Sequence, residues 1–281
     1  MAGCGTMSAE QQAVTEHYSV GGLADKVFDA LRAAGKDLDH LVPDDLAPLD
    51  AFHIRGRDAT RELAALAQLG ASHEVLDVGS GVGGSARFLA AQFGCRVAGV
   101  DLTEEYCRVA TLLSQRCGLA ALTSFRAASA LELPFSGERF DVVWTEHVQM
   151  NIAHKARFYG EIRRVLKPGG LLLFHDVFQG TGGSPHFPVP WASDAAISHL
   201  ATPSDIGRLL ESIGLQRQHW EDVSAKSLAW FRALLERFAA RGRPPLGLHL
   251  LMGADAAQKL DNLVRNLDEA RVVAVQAMYL K

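Results

Sequence analysis

From Ala9 to Leu69 apolar residues return at helical spacing, with interruptions. Ala24–Ala34 (ADKVFDALRAA) keeps one apolar face. Pro43 and Pro48 bracket a turn-rich piece, LVPDDLAPLD. ATRELAALAQL reads as a helix that Gly70 ends. Beyond Gly70 the period changes, and short apolar runs alternate with amphipathic ones. Val75–Val78, Arg96–Asp101, Leu122–Arg126, Asp141–Trp144 and Leu171–Asp176 read as strands. Between them Ser85–Gln92, Thr103–Cys117 and Ala156–Leu166 read as helices, the last closed by KPGG. Thr103 is a plausible cap, with Glu104 and Glu105 in the first turn behind it. This alternation predicts an α/β, doubly wound, mostly parallel sheet covered on both faces.

The end of the chain breaks the rhythm. Pro203–Ile213 is a helix opened by TPSD, and Gln216–Val223 a sixth strand. Two helical stretches, Ser227–Ala240 and Ala254–Asp268, flank RGRPPLGLHLLMG. RVVAVQAMYL, Arg271 to Leu280, is rich in β-branched residues and reads as the last strand. The helical insertion before it is too long and too apolar for a mere connection. It is expected to cover a pocket or meet a partner. QGTGGSPHFPVPWA, after strand five, reads as a mobile loop.

The candidate chemistry begins at VLDVGSGVGG, Val75 to Gly84, where an apolar strand breaks into glycines before a helix. Missing side chains there let a ligand lie against the backbone at a helix start. Asp101 ends the next strand, where a carboxylate can take both hydroxyls of a ribose. Its plain alternative is a cap for the following helix. A nicotinamide-dinucleotide fold would share both features.

Later motifs separate these readings. VLDVGSGVGG, GVDL, LELPF, FDVVW and RVLKPGG, in that order within Val75 to Asp176, resemble the class I S-adenosylmethionine-dependent methyltransferases. A nicotinamide enzyme would match only the first two. EHYS (Glu16–Ser19), LDAFHIRGRDAT (Leu49–Thr60) and the late insertion are similar to small-molecule methyltransferases of the sarcosine/dimethylglycine type, with tocopherol and phosphoethanolamine methyltransferases as further relatives. The family's fold implies seven strands with an antiparallel last one, which RVVAVQAMYL fits. The implied organisation is one methyltransferase domain, 1–281: a helical cap (1–70), a cofactor-binding core (71–177), substrate-side loop and helices (178–270) and the last strand (271–281).

The resemblance also implies roles. Asp77, Gly79, Ser80 and Gly81 would hold the methionine end of S-adenosylmethionine, and Gly83 would let the helix approach closely. Asp101 would bind the ribose and Leu102 would lie against the adenine, with Ser129 and Ala130 at the adenine edge. Ser129 stands where the family usually has Asp. Glu146 and His147 fall where cofactor and substrate meet, and Asn151 stands where the family often has a histidine. His147 is the first candidate base, followed by His175 with Asp176, and then His53; the alternative for each histidine is ordinary packing. Tyr18 would sit over the cofactor. His53, Arg55, Met150, Phe178 and Trp191 are candidates for the substrate side. Arg57 reads more simply as a solvated charge, and Trp230 and Met252 as core.

Composition bounds the rest. The chain has 281 residues, 48% of them hydrophobic, with a net charge of -4, which suits a filled core and gives no polybasic surface for nucleic acid or membrane. No apolar run is long enough to span a bilayer, and Met1 to Ser8 lacks the parts of a signal peptide, so the protein reads as cytoplasmic, a monomer or homodimer. Cys4, Cys95, Cys107 and Cys117 make no CxxC pair, which argues for packing over a metal or an arsenic-methylating cluster. The expected reaction is methyl transfer to a small molecule, first an amine nitrogen, alternatively the hydroxyl or carbon of an aromatic or quinol. A non-catalytic partner subunit would have damaged glycines or a lost ribose carboxylate, and neither is seen.

Overall fold

The strands in chain order are β1 (Glu74–Val78), β2 (Arg96–Asp101), β3 (Thr123–Ala127), β4 (Phe140–Glu146), β5 (Leu166–Gln179), β6 (Gln216–Asp222) and β7 (Val272–Leu280). The computed structural model describes residues 7–19, 21–50, 52–242 and 244–281; Cys4 and most of Met1–Ser8 lie outside them. The helices are α1 (Ala9–Tyr18), α2 (Leu23–Ala33), α3 (Ala47–Asp50), α4 (Arg57–Ala65), α5 (Gly84–Phe93), α6 (Glu104–Arg116), α7 (Lys155–Val165), α8 (Pro203–Ser212), α9 (Ser224–Arg241), α10 (His249–Met252) and α11 (Ala256–Asp268). One seven-stranded sheet runs in the order β3-β2-β1-β4-β5-β7-β6. β1 to β5 pair in parallel, and β7 is antiparallel to both β5 and β6. The alternation predicts the parallel part of this sheet, and the family resemblance implies its antiparallel last strand.

The central strands EVLDV and FDVVWTE are buried almost throughout, as expected of strands covered on both faces. Leu63, Ala86, Leu89 and Trp144 pack one face under α4 and α5. Phe158, Ile162, Ile206 and Leu210 pack the other under α7 and α8. A third cluster joins α2 and α3 to α6 through Leu23, Val27, Leu49 and Val109. A fourth seats the late insertion, Phe231, Leu263 and Leu267, on Val177, Trp191 and Val272.

Several boundaries differ from the sequence reading. α4 stops at Ala65, short of Gly70. β5 begins at Leu166, so KPGG lies within the strand instead of before it. The cause is the last residue of the chain: Gly169 donates to Lys281 O and Lys281 N to Gly170 O, both at 2.9 Å. Thr103 precedes α6 but its hydroxyl makes no cap; Asp101 Oδ1 accepts the Thr103 N–H instead, at 2.8 Å. RGRPPLGLHLLMG contains the short α10. The stretch read as a mobile loop is pinned. Gly180 and Gly182 donate to Arg271 O and Ala270 O, and Asn266 bonds His186 through both N–H and C=O. Its glycines serve close approach: a Cβ on Gly182 would lie 2.0 Å from Glu269 O. The cysteines Cys95 and Cys107 are buried and unpaired, Cys117 partly so, and no metal-holding cluster occurs among the described residues. No described helix is long and apolar enough to cross a membrane.

One buried ion pair fastens the helical cap to the sheet. Arg87 on α5, 0% exposed, is paired through Nη2 with Asp50 at the end of α3, while Nη1 donates to Val82 O at 2.8 Å. Gly84 allows the approach, since a Cβ there would sit 2.1 Å from Asp50 O. Arg57 lies 3.5 Å from the other Asp50 oxygen and is only 10% exposed, so it is a tether and not the solvated charge expected. Arg87→Leu removes one partner from a desolvated pair and should lower unfolding free energy by about 3–5 kcal/mol. Guanidinium titration at neutral pH measures it; a loss below about 1 kcal/mol, the size of an exposed pair, would show the clamp carries no stability.

Candidate active site

The glycine turn is knotted to the neighbouring strand. Gly79 and Ser80 N–H both donate to Val100 O, at 2.8 and 2.9 Å. Gly79 has φ +74°, and a Cβ there would stand 2.3 Å from Val148. Gly81, φ +52°, meets nothing within 4 Å on that side and faces a cleft. Its N–H donates to Asp101 Oδ2 at 2.8 Å. Asp101 Oδ1 also accepts the Thr103 N–H ahead of α6, as the capping alternative expects, and the residue lines the cleft. Burial pushes its carboxyl up against the pull of those N–H groups.

Asp77 and Ser80 line the cleft. Asp77 is 2% exposed, and its Oδ2 and the Ser80 Oγ are buried with no hydrogen-bond partner. Burial, then the neighbouring Glu146 and Asp101, raises the Asp77 carboxyl well above its usual range. Orphaned buried acceptors are costly and call for a ligand donor or cation. S-adenosylmethionine fits this set: Asp77 and Ser80 would hold its amino end, Asp101 its ribose hydroxyls, and Leu102 and Ala130 would flank its adenine.

Ser129 is already in use, accepting from Gln11 Nε2 at 2.7 Å and from Leu131 N at 3.1 Å. Gln11 belongs to α1, which lies across the cleft. Further along α1, His17 Nε2 bonds Pro190 O at 3.1 Å and the Tyr18 hydroxyl donates to Asn151 Oδ1 at 2.9 Å. Tyr18 also meets Phe52 and Tyr106 edge-on, and burial raises its phenol. Gln11 was not anticipated, and a lone glutamine in a polar helix carries no sequence signal.

Glu146, the last residue of β4, is a hub. Its Oε2 accepts from Ser85 Oγ at 2.6 Å and Trp144 Nε1 at 2.9 Å, and Thr60 Oγ1 lies 3.1 Å from both oxygens. His53 Nε2 stands 3.4 Å away and 3.2 Å from Thr60 Oγ1. Thr60, Ser85 and Trp144 were missed because each is an ordinary core or helix residue in sequence.

Three histidines gather round one residue, Ile54. Ile54 N donates to His147 Nε2 at 3.3 Å, and His175 Nε2 donates to Ile54 O at 3.1 Å. His147 and His175 ring centres are 5.1 Å apart, with His53 6.0 Å from each. Burial and the two neighbouring rings hold His147 well below the usual range, so it is neutral. With Nε2 accepting, its proton is assigned to Nδ1, which makes the ring a donor rather than the first base. His175 is fully buried under His147, held down to about 3 by burial, and does not line the cleft. It positions Ile54.

Three other expectations are corrected. Asp176 is also fully buried, and burial lifts its carboxyl to about 6. It accepts from Val148 N, Gln149 N and Val177 N, each within 2.9 Å, and so anchors the loop after β4 instead of acting on a ligand. Phe178 is not on the substrate side. The pleat puts it on the face of Phe174, where it packs with Phe174 and Trp220 at 6.1 and 5.8 Å. Gly83 has the close-packing role expected, since a Cβ there would meet Phe125 and Arg87 within 2.9 Å, but it is not a cofactor contact in the cleft lining. Met150 and Trp191 do line the cleft. Arg55 instead lines a second cavity of about 620 Å³, which meets the cleft at His53, His147 and Trp191. Arg55 Nη2 is paired with Glu62, and its buried Nη1 has no partner.

Residues 76–174 match a family described as a methyltransferase domain. The chain is 28% identical over 181 residues to glycine/sarcosine/dimethylglycine N-methyltransferase of Actinopolyspora halophila, covering 64% of this chain and 32% of that one. It is 39% identical over 100 residues to the chloroplastic tocopherol O-methyltransferase of Arabidopsis thaliana, covering 36% and 29%. The matches thus span about a third of the length of these two relatives. Among solved structures, geranyl diphosphate C-methyltransferase from Streptomyces coelicolor superposes with a TM-score of 0.71 at 17% identity, covering 97% of this chain and 98% of that one, which shows a shared fold. The glycine turn, the sheet order and this match agree: residues 76–174 carry the pattern of a methyltransferase domain.

Proposed function

We propose that the chain moves a methyl group from S-adenosylmethionine to a small-molecule acceptor held where the cleft meets the second cavity, beside His53 and His147. One observation carries the cofactor half: Asp77 and Ser80 present buried acceptors without partners inside the matched domain, at a cleft also lined by Asp101. When bound, the sulfonium supplies an already activated methyl. The chain's own contribution is then placement, which can supply most of the rate. Residues 1–70 act as the cap, 71–177 as the cofactor core, and 178–270 as the acceptor side of one unit closed by the last strand. α1 covers the cleft through Gln11, His17 and Tyr18 and keeps water out.

The relatives named above act on nitrogen, oxygen and carbon by their names. An amine nitrogen was the first expectation from sequence. The apolar second cavity favours the other reading, a hydroxyl or carbon on a larger apolar molecule.

Asp77→Asn removes a buried, unpartnered charge, so the fold should be kept or slightly stabilised. Affinity for S-adenosylmethionine should fall about 10- to 100-fold, the worth of a charged hydrogen bond. Calorimetry reads it; unchanged affinity would remove the cradle assignment. The sign with pH follows. The raised carboxyl favours the folded chain in acid, and that contribution is lost as pH rises through its folded value. Binding of a cationic ligand needs the ionised form, so affinity should climb with pH above the ordinary carboxylate range. Asp77→Asn should flatten the climb.

Tyr18→Phe deletes the bond to Asn151. Release of S-adenosylhomocysteine, followed by stopped-flow tryptophan fluorescence, should quicken about fivefold for a bond worth about 1 kcal/mol. An unaltered off-rate would take α1 out of any gating role.

A further inference from the structure

The side-chain amide of Asn151 is a junction of three segments. Nδ2 donates to Trp191 O at 2.8 Å and to Ile197 O at 2.9 Å, and Oδ1 accepts from the Tyr18 hydroxyl at 2.9 Å. Two carbonyls can only accept, so the nitrogen must face them and the oxygen is left for Tyr18. A histidine, the residue that the family resemblance expects at this place, could not make all three bonds. When neutral it has one donor and one acceptor, and when charged two donors and no acceptor.

The parts that meet there differ in how firmly they are held. Asn151 sits on a fixed post. The loop after β4 hangs from Asp176 through Val148 N and Gln149 N, both at 2.9 Å, and its Met150 O accepts from His199 N at 2.7 Å. Trp191 belongs to a tight turn, in which Val189 N donates to Ala192 O at 2.8 Å and Ala192 N to Val189 O at 3.1 Å. Pro190 and Trp191 of that turn line both the cofactor cleft and the second cavity. Tyr18 ends α1, the helix across the cleft. No residue of α1 is wholly buried, and its apolar Ala13 and Val14 only touch the cluster that holds Trp191 and Ile197. An element with so few buried contacts opens at low cost. Its polar fastenings are Gln11 to Ser129, His17 to Pro190 O and Tyr18 to Asn151. The last two end on the turn itself or on the amide that holds it.

We propose that Asn151 is a positioning residue that couples the two guest spaces: closure of α1 over the cofactor fixes the Val189–Ala192 turn, and with it the Trp191 wall beside the acceptor. The inference rests on the methyl-transfer reading above. When α1 lifts, His17 releases Pro190 O and Tyr18 leaves the Asn151 oxygen. Linked hydrogen bonds polarise one another, so the grip of Asn151 on Trp191 O and Ile197 O weakens as well. A cofactor that favours the closed helix therefore tightens the turn. By reciprocity, a guest seated against the turn tightens the hold on the cofactor.

The test is amide hydrogen exchange on the full chain, read by mass spectrometry with and without saturating S-adenosylhomocysteine. In the wild type the ligand should slow exchange about fivefold or more, the worth of one net hydrogen bond, over residues 76–102 and also over 189–199. In Asn151→His and in Tyr18→Phe the slowing over 76–102 should remain, while that over 189–199 should fall below about twofold, well under one hydrogen bond. The readout is the difference between bound and free protein. A merely structural role for Asn151 would speed exchange in both states alike and leave that difference in place. Tyr18→Phe removes one hydroxyl and keeps the ring, so it decides the matter should Asn151→His fail to fold. Slowing over 189–199 that persists in Tyr18→Phe overturns the proposal, since the ligand would then act on the turn by direct contact. Slowing confined to 76–102 in the wild type sinks the coupling alone. No slowing anywhere, together with no heat of binding by calorimetry, sinks the methyl-transfer reading itself.

Discussion

A carboxylate at the end of the fourth strand joins the layers of this protein. Glu146 takes hydrogen bonds from Trp144 on its own strand, Ser85 on α5 and Thr60 on α4. Sheet, glycine-turn helix and cap thus converge on one buried acid. An acid so placed is tolerable only because its lone pairs are filled. The cost of burying it is offset by fixing where the cap sits relative to the cleft. His53 inherits its orientation from that hub. The Asp50–Arg87 pair is a second fastening of the same two layers, with Asp50 at the wall of the cleft.

The pleat explains why neighbouring residues have such different roles. At the end of β5, His175 and Asp176 are adjacent yet face opposite sides of the sheet. His175 reaches Ile54 in the cap, while Asp176 turns to the loop after β4. That loop carries His147, Val148 and Met150 into the cleft. The two side chains thus hold the site's neighbouring segments from opposite faces of the sheet.

Much of the architecture was legible in the chain. Each strand was placed within a few residues, because buried parallel strands are short apolar runs punctuated by turn residues. The glycine turn and Asp101 were visible because their chemistry depends on missing or acidic side chains at fixed spacing. Long-range partners were not. Nothing in the local pattern tells that Arg87 would be sealed against Asp50, 37 positions away, or that Gln11 would reach Ser129, 118 positions away. Phe178 was misplaced because alternation along β5 gives its side but not which side holds the ligand. The loop after β5 read as mobile because glycine and proline signal turns. Here those glycines let two backbones touch.

The arrangement of the two cavities has a steric corollary. Glu10 and Gln11 line the cleft, Arg237 and Pro244 line the second cavity, and the two share His53, His147 and Trp191. Guests in the two spaces would meet along that shared wall, so a change of side chain there acts on both, whereas one at Arg237 acts on the second alone.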